Sequence, residues 1–414
     1  MKRRVVVTGL GAITPVGNDV ATTWRAITAG VSGGAPITKF DTSSFPVKFA
    51  CEVKGFDPLM YLDRKEAKRA DLFAQYAIAA SVQAMTDAGF GDGTGYDPER
   101  MGVIIGSGIG GLKTFEEQHD VYRERGPSKI SAFFIPMFIS DIAAGLVSMR
   151  FNAKGPNYAT ISACATSAHA IGDAFRTIQY GDADVIITGG SEATVTPMAI
   201  GGFANMKALS ERNESPETAS RPFDATRDGF VMGEGGGIVI LEALEHAQAR
   251  GARIYAEIVG YGATGDAYHL TAPAPEGEGA QRAMRIAMKD AGMVPADIDY
   301  INAHGTSTPA NDSNETKAIK AVFGGHAATV NVSSTKSMTG HMLGAAGAVE
   351  FIIGSLAVRD CIVPPTINYQ TPDPELDLNY TPNTAVKRPV RTVLSNSFGF
   401  GGHNVTLAIK RFEE

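Results

Sequence analysis

A single cysteine, Cys164, stands between two segments of different character. Residues 158–161 before it have the composition of a β-strand, and the alanine-rich residues after it are typical of a helix. A cysteine in the first turn of a helix lies beside unpaired backbone N–H groups and a partial positive charge, which favour the thiolate. Its small neighbours Ala163, Ala165 and Ser167 leave room for a substrate. The local sequence predicts a nucleophile with a lowered pKa, and a buried structural cysteine is the alternative.

Two of the eight histidines occupy matching positions. His304 in "YINAHGTSTPANDSNE" and His341 in "SSTKSMTGHMLGAAGAVE" each follow a short strand-like run and enter a segment of small and hydroxyl residues. Ligands gather at the carboxyl ends of strands in α/β proteins, and a cysteine nucleophile usually needs imidazoles nearby. We expect the other six to pack or to face solvent, with His269 and His403 in loops without an obvious partner.

A lysine and a glutamate flank His341. Lys336 lies five residues before it, and Glu350 lies on the predicted helix that follows. Lys336 is either an exposed lysine in a run of serine and threonine, or it pairs with Glu350 and sets the electrostatic field around His341.

Two glycine-rich turns allow other readings. "GSGIGG" at 106–111 satisfies G-x-G-x-x-G after a strand, which leaves a nicotinamide oxidoreductase as an alternative, although no acidic residue ends a second strand about 20 residues on. Glycines alternate with phenylalanines at 398–404, which predicts a mobile turn beside an apolar cavity.

Short apolar runs alternate with longer helical patterns, as in an α/β protein with a sheet buried between helices. The pattern repeats faintly, because each half has a strand-loop unit followed by a strand, a chemically active residue and a helix. Predicted strands cover 5–7, 103–105, 185–188, 238–241, 300–301, 330–333 and 405–409, and predicted helices cover 71–88, 167–180, 244–250, 279–291 and 345–358.

Composition bounds the class of protein. The chain has 414 residues and a net charge of −7, which argues against a general nucleic-acid binder. Its three cysteines form no CxxC pair, so a zinc site is not expected and a reducing compartment is favoured. We interpret Cys51 and Cys361 as structural. The start "MKRRVVVTGLGAITPVG" fits a strand entering a glycine turn better than a signal peptide, and the sequence predicts a cytoplasmic protein.

Five motifs together resemble a known family. They are "SACATSAHAIGDA", "RPFDATRDGFVMGEGGG", "NAHGTSTPANDSNE", "SSTKSMTGHMLGAAG" and "NSFGFGGHN", which follow one another in order over essentially the whole chain. The sequence is similar to the β-ketoacyl-acyl carrier protein synthases, and among them to the elongating type II members of bacterial fatty acid synthesis. The resemblance implies an α/β thiolase fold, with two similar halves (1–252 and 253–414) in five layers α-β-α-β-α, and a homodimer.

The resemblance also implies a mechanism without a cofactor. Cys164 takes the acyl chain from acyl carrier protein as a thioester, with the backbone N–H groups of Cys164 and Phe400 as oxyanion hole. His304 and His341 hold the malonyl thioester oxygen and stabilise the enolate formed as carbon dioxide leaves. Lys336 and Glu350 are expected to support them.

Binding residues follow from the same resemblance. Thr306 and Thr308 match contacts to the pantetheine arm, and the acyl pocket is implied for Ile109, Phe203, Phe398 and, from a partner subunit, Phe134. Carrier docking is implied for Lys65, Lys68, Arg69, Lys129 and Lys207, although "DRKEAKRAD" alone is typical of a solvated helix face. A monovalent cation site reported in some relatives matches Asn302, Glu350, Ser395 and Asn396.

The motifs weigh against neighbouring classes. No second cysteine lies near position 400, as a thiolase would require, and the third catalytic position is His341 rather than the asparagine of initiating synthases. Cys164 is present, which argues against a catalytically silent scaffold. A stand-alone polyketide ketosynthase of the same fold stays open.

Overall fold

The first strand, β1 (Val5–Ile13), is buried along its whole length, as expected where both faces of a sheet are covered. The computed structural model of the chain describes residues 2–91 and 93–413. The further strands are β2 (Ala35–Pro36), β3 (Phe49–Ala50), β4 (Met101–Gly106), β5 (Asn157–Tyr158), β6 (Val185–Glu192), β7 (Gly235–Ala243), β8 (Ala256–Gly265), β9 (Tyr300–Asn302), β10 (Asn331–Ser333), β11 (Ile362–Val363), β12 (Val386–Lys387), β13 (Thr392–Gly399) and β14 (His403–Lys410).

Helices connect these strands. The α-helices are α1 (Val20–Thr28), α2 (Arg64–Ala67), α3 (Leu72–Asp87), α4 (Leu112–Arg125), α5 (Phe134–Phe138), α6 (Ile142–Phe151), α7 (Thr166–Tyr180), α8 (Pro197–Asn205), α9 (Pro216–Ala219), α10 (Leu244–Ala249), α11 (Glu278–Ala291), α12 (Pro309–Phe323), α13 (Lys336–Thr339) and α14 (Ala346–Asp360). Short 3₁₀ helices lie at Pro58–Met60, Pro98–Arg100, Pro127–Lys129, Ala163–Ala165, Pro275–Gly277, Pro295–Asp297, Gly324–Ala328 and Leu343–Ala345.

The central sheet contains two matching halves. Its strand order is β10-β9-β13-β14-β8-β1-β7-β6-β4-β5. Numbered within its own half, each set of five strands has the order 3-2-4-5-1, and in each the first two pairings from the outer edge are parallel and the next two antiparallel. The halves meet where Val5–Val7 of β1 pairs antiparallel with β8. The faint repeat in the sequence is therefore a repeated topology.

Helices cover both halves and also separate them. α7 contacts strands of both halves, and so does α14, in which every residue from Ala346 to Val358 is buried. A helix that is buried on all sides belongs in the interior. α3 and α6 pack on the outer face of the first half, and α11 packs on that of the second. This is the five-layer α-β-α-β-α arrangement that the resemblance implies.

The predicted elements largely match the observed ones. Each predicted strand lies within a strand or overlaps one to within a residue, and each predicted helix agrees with a helix to within about two residues. The prediction of β-structure at 158–161 is wrong after Tyr158, because β5 ends at that residue. No helix in residues 2–91 and 93–413 combines the length and the apolar character needed to cross a membrane.

Strand ends create one common edge. β4 and β6 run parallel, as do β9, β10 and β13, so the carboxyl ends within each group lie together. The segments that follow these ends carry the residues singled out by the sequence.

Candidate active site

Cys164 lies in a tight turn that leads directly into α7. The turn is the 3₁₀ helix Ala163–Ala165, and Ala163 has a φ of 50°, a left-handed conformation that lets the chain reverse sharply before the helix. Cys164 is 8% exposed. The predicted position at a helix N-terminus is therefore observed.

The predicted lowering of the thiol pKa is wrong. Burial raises the pKa of Cys164 to about 12, because the thiolate would lose its hydration. The positive charge of Lys336 and the backbone N–H groups of Phe400 and Cys164 act in the opposite direction without overcoming burial. These two N–H groups lie beside the sulfur. If Cys164 carries an acyl group, its carbonyl oxygen would need hydrogen-bond donors at this place.

His304 and His341 converge on this thiol. Their ring centroids lie 5.3 Å apart with the planes at 86°, and the ligand atoms of Cys164, His304 and His341 all lie within 4.8 Å of one another. Three such atoms could hold a metal ion, and they could equally surround one reacting group. Nδ1 of His304 and both ring nitrogens of His341 have no hydrogen-bond partner in the described residues. Unpaired buried nitrogens are available to a substrate.

Both imidazoles are neutral at ordinary pH. Burial and the charge of Lys336 hold the pKa of His304 and of His341 well below the usual value. A neutral imidazole with one N–H can donate a hydrogen bond to an oxygen that gains negative charge.

Lys336 pairs with Glu350, one of the two arrangements considered for it. The Lys336 ammonium donates to Oε1 of Glu350, and each side chain is only 2% exposed. Lys336 begins α13, five residues before His341, and Glu350 lies in α14.

Some residues of the expected cation site have unused oxygen atoms. Oε2 of Glu350 and both amide atoms of Asn302 are buried without a hydrogen-bond partner in the part of the chain that the structure describes. Ser395 pairs with Asn302 across β13 and β9, whereas the amide oxygen of Asn396 already accepts from Thr406. A carboxylate and an amide oxygen suit a hard cation, so the residues fit such an ion.

A cavity of about 380 Å³ leads to Cys164, His304 and His341. Phe203, Phe398 and Phe400 form apolar walls, and Thr306 and Thr308 line it with hydroxyls that hydrogen-bond each other at 2.9 Å. Leu343, Lys207, Pro273 and Asp266 also line it.

Ile109 and Phe134 do not line this cavity. Ile109 packs against the apolar cluster that contains Cys164 and Leu343. Phe134 lies in α5, where its ring contacts those of Phe115 and Phe138.

The loop 106–111 is occupied by a protein carboxylate. Glu192, at the end of β6, accepts from the N–H groups of Gly108 and Ile109 and from the Ser107 hydroxyl. A dinucleotide phosphate would need such N–H groups free, which argues against the oxidoreductase alternative. Sequence reasoning missed Glu192, although an acidic residue ending an apolar strand is a signal.

Two histidine predictions are wrong. His403 begins β14 rather than lying in a loop, and its ring lies 6.3 Å from that of His169. His269 does have partners, since its Nδ1 accepts from the N–H groups of Thr271 and Ala272.

The five cations expected to dock a carrier are exposed and differ in setting. Lys65 lies in α2 and Lys68 follows it, and Arg69 stacks over Phe133 with its guanidinium carbon 4.3 Å from the ring centroid. Lys129 ends a 3₁₀ helix, and only Lys207 reaches the lining of the cavity.

Comparisons with known proteins show which family the chain is similar to. Residues 2–247 match the family model "Beta-ketoacyl synthase, N-terminal domain", and residues 255–370 match "Beta-ketoacyl synthase, C-terminal domain". The chain is 56% identical over 411 residues to 3-oxoacyl-[acyl-carrier-protein] synthase 2 of Staphylococcus aureus strain N315, covering 99% of each chain. It is 55% identical over 412 residues to the protein of that name from Synechocystis sp., covering 100% of this chain and 99% of the other.

Solved structures are similar over the same length. A beta-ketoacyl synthase from Burkholderia phymatum superposes with a TM-score of 0.93 at 35% identity and covers 100% of both chains. A type II polyketide ketosynthase in complex with its acyl-carrier protein, bound to the hexaketide, superposes with a TM-score of 0.91 at 37% identity and also covers 100% of both.

Proposed function

The chain belongs to the beta-ketoacyl synthase family, and we propose on this basis that it condenses an acyl chain with malonyl-acyl carrier protein in fatty acid elongation. The product is a 3-oxoacyl-acyl carrier protein, with release of carbon dioxide. The observation that carries the proposal is the convergence of Cys164, His304 and His341 within 4.8 Å beneath an apolar cavity.

The first step is transfer of the acyl chain to Cys164. The sulfur attacks the thioester carbonyl of the acyl carrier, the carbon–sulfur bond to pantetheine breaks, and the cysteine proton goes to the departing thiolate. The N–H groups of Cys164 and Phe400 beside the sulfur are suited to receive the negative oxygen of the tetrahedral intermediate. The high pKa of the thiol means that its proton must leave during attack rather than before it.

The second step is decarboxylation and carbon–carbon bond formation. His304 and His341 donate hydrogen bonds to the malonyl thioester oxygen as the carboxylate leaves and an enolate forms. The enolate carbon attacks the acyl-cysteine carbonyl, and collapse of that intermediate expels the Cys164 thiolate. This thiolate takes up a proton from water, which restores the thiol. Two neutral imidazoles beside the positive Lys336 stabilise the enolate by donating hydrogen bonds to its oxygen, without transferring a proton to it.

Substrates reach the thiol through the cavity. The pantetheine arm contacts Thr306 and Thr308, while the acyl chain extends past Phe203 and Phe398 toward Ile109. Phe134 closes the far end of the acyl pocket from a partner subunit.

A homodimer accounts for an exposed apolar surface. Phe133, Ile135 and Ile139 around α5 are 40%, 58% and 37% exposed, and Ile161 before Cys164 is 62% exposed. Side chains of this size are expected to be covered when they cluster. A second copy would cover them and bring its Phe134 to the acyl pocket.

The chain works in the cytoplasm. Acyl carrier protein docks on five exposed cations, Lys65, Lys68, Arg69, Lys129 and Lys207. The two halves are 1–252 and 253–414, of which residues 1, 92 and 414 lie outside the described part. Asn302, Glu350, Ser395 and Asn396 would hold a monovalent cation, which would neutralise the unused carboxylate oxygen.

One assay tests the function. Purified protein is given acyl carrier protein loaded with acyl groups of graded length, then malonyl-acyl carrier protein, and the products are read by mass spectrometry. We expect an acylated Cys164 and a product two carbons longer, and no condensation with Cys164→Ala. Condensation by Cys164→Ala would reject the mechanism. Repeated extension into a poly-β-keto chain would instead assign a polyketide ketosynthase.

A further inference from the structure

Glu192 joins two loops that come from different halves of the chain. Its side chain is completely buried at the end of β6. From the first half it accepts hydrogen bonds from Ser107 Oγ at 3.0 Å, Gly108 N at 2.9 Å and Ile109 N at 3.1 Å. From the second half it accepts one from Gly344 N at 2.9 Å. Four donors compensate a buried carboxylate and fix both loops to it.

The two glycines make this close approach possible. A Cβ atom on Gly108 would lie 2.7 Å from Oε2 of Glu192. A Cβ atom on Gly344 would lie 2.6 Å from the same oxygen and 2.5 Å from the Gly108 nitrogen. Because real Cβ atoms do not approach so closely, larger residues would force the loops apart.

Each loop also lies close to residues of the proposed active site. Gly344 lies three residues after His341, and Leu343 between them lines the cavity. Ile109 packs in the apolar cluster that includes Cys164 and Leu343. The carboxylate therefore lies between Ile109, which the proposed function places at the acyl pocket, and the turn that follows His341.

We infer that Glu192 is a positioning residue that sets the depth of the acyl pocket through Ile109 and the place of His341 through Gly344. It touches neither substrate. The inference rests on the proposed function for the meaning of the pocket, and it adds a determinant of acyl chain length.

Asp224 offers a matched control. It is completely buried, and like Glu192 it accepts hydrogen bonds from three backbone N–H groups and one hydroxyl. The donors are Thr226 N and Oγ1, Gln370 N and Thr371 N, at 2.6–2.8 Å. None of these residues lines the cavity. Unlike Glu192, Asp224 also has an arginine nearby, with Arg221 Nη1 3.8 Å from its Oδ1. Asp224→Asn therefore reports what loss of a buried, hydrogen-bonded carboxylate outside the cavity does to the fold.

The experiment measures pocket depth without relying on condensation. Cys164 is labelled with N-alkylmaleimides of graded chain length in the wild type, Glu192→Gln, Ser107→Ala and Asp224→Asn, and thermal midpoints are recorded. Gln keeps the shape of Glu but turns an amide donor toward N–H groups. We expect Glu192→Gln to raise the ratio of long-chain to short-chain labelling, by about fourfold for each further methylene accepted.

A second readout follows His341. Malonyl thioester decarboxylation by Glu192→Gln should fall roughly 10- to 100-fold, the effect of a displaced catalytic group. Ser107→Ala, which removes one of the four bonds, should shift the labelling ratio in the same direction by less. Asp224→Asn should lower the thermal midpoint and leave both readouts as in the wild type.

Wild-type labelling ratios and decarboxylation in a folded Glu192→Gln would overturn the inference. If that variant does not fold, unchanged ratios in Ser107→Ala overturn it instead. Failure of the wild type to condense acyl and malonyl substrates would reject the proposed function, while the maleimide ratios would still decide the role of Glu192.

Discussion

Lys336 and Glu350 form a buried ion pair whose positive member faces three chemically active groups. Both side chains are 2% exposed. The charge of Lys336 lowers the pKa of Cys164, of His304 and of His341, in each case as the next largest influence after burial. One lysine thus makes it easier to remove the Cys164 proton during attack and keeps both imidazoles neutral, as the proposed chemistry requires.

Removal of this pair should slow alkylation of Cys164. We choose Lys336→Met with Glu350→Gln, because leaving one buried charge unpaired typically costs 3–5 kcal/mol of stability. In the wild type the iodoacetamide rate should rise about tenfold per pH unit from pH 6 to 9 without a plateau, since the pKa of the thiol is about 12. In the double variant the iodoacetamide rate should rise with pH by the same factor but should be lower than in the wild type at every pH. A plateau near pH 8 in the wild type would contradict the effect of burial.

The pH dependence of malonyl thioester decarboxylation should not match the titration of a solvent-exposed histidine. Because burial holds the pKa of His304 and His341 well below 6.5, the rate in Cys164→Ala should stay level from pH 8 to 6 and fall only at lower pH. Removing the charge of Lys336 should raise the pKa of both histidines, so that the rate begins to fall at a higher pH. His304→Ala should lose roughly 10²–10³ in rate at every pH. An inflection at pH 6.5 would show that the imidazoles are solvated.

His304 and His341 contribute to the pH dependence of stability. In the unfolded chain both histidines bind a proton near pH 6.5, whereas in the folded protein they stay neutral. At these two residues the unfolded state therefore binds more protons below pH 6.5, and their contribution to the free energy of unfolding should fall as the pH drops through that region. Glu350 acts in the opposite direction, because burial raises the pKa of its carboxyl group to about 7 and the folded state takes up a proton there first.

The sequence was sufficient to predict the alternating elements and the two histidines. Strand ends in α/β proteins carry chemistry, and His304 and His341 follow the ends of β9 and β10, both in the second half. The pKa of Cys164 could not be predicted, since burial depends on residues distant in sequence such as Leu343 and Phe230. Glu192 was missed for a similar reason, because Gly344, one of its partners, lies 152 positions away.

Ile109→Phe should exclude the longest acyl chains. Ile109 packs against the apolar cluster that contains Cys164 and Leu343. If it ends the acyl pocket, the larger ring would occupy volume that the chain end needs. Overpacking typically costs 1–3 kcal/mol, so transfer of the longest accepted donor should slow by roughly 5- to 150-fold while short donors are spared. Acyl transfer is followed by intact mass. The matched variant Ile286→Phe, on the exposed side of α11, should leave the profile unchanged. A wild-type profile in Ile109→Phe would remove Ile109 from the pocket.

Lys65→Glu with Lys68→Glu should weaken use of substrates carried by acyl carrier protein. Both lysines are exposed at α2, away from the lining of the cavity, so the change should act on association rather than on chemistry. We expect a higher KM for acyl carrier protein substrates and a flatter dependence on salt, because the attraction that salt screens is gone. Reactions with a short pantetheine thioester should hardly change.

A second pair of lysines separates docking from net charge. Lys289→Glu with Lys387→Glu alters the net charge equally at exposed positions that do not line the cavity. KM is measured for both variants with both substrates at low and high salt. If docking is local, only the Lys65 and Lys68 variant loses affinity for the carrier, and its loss shrinks at high salt where the wild type also weakens. Equal losses in both variants would assign the effect to overall charge. Equal losses on carrier and pantetheine substrates would mean that the substitutions damage the site itself, and the docking surface would then have to be placed elsewhere.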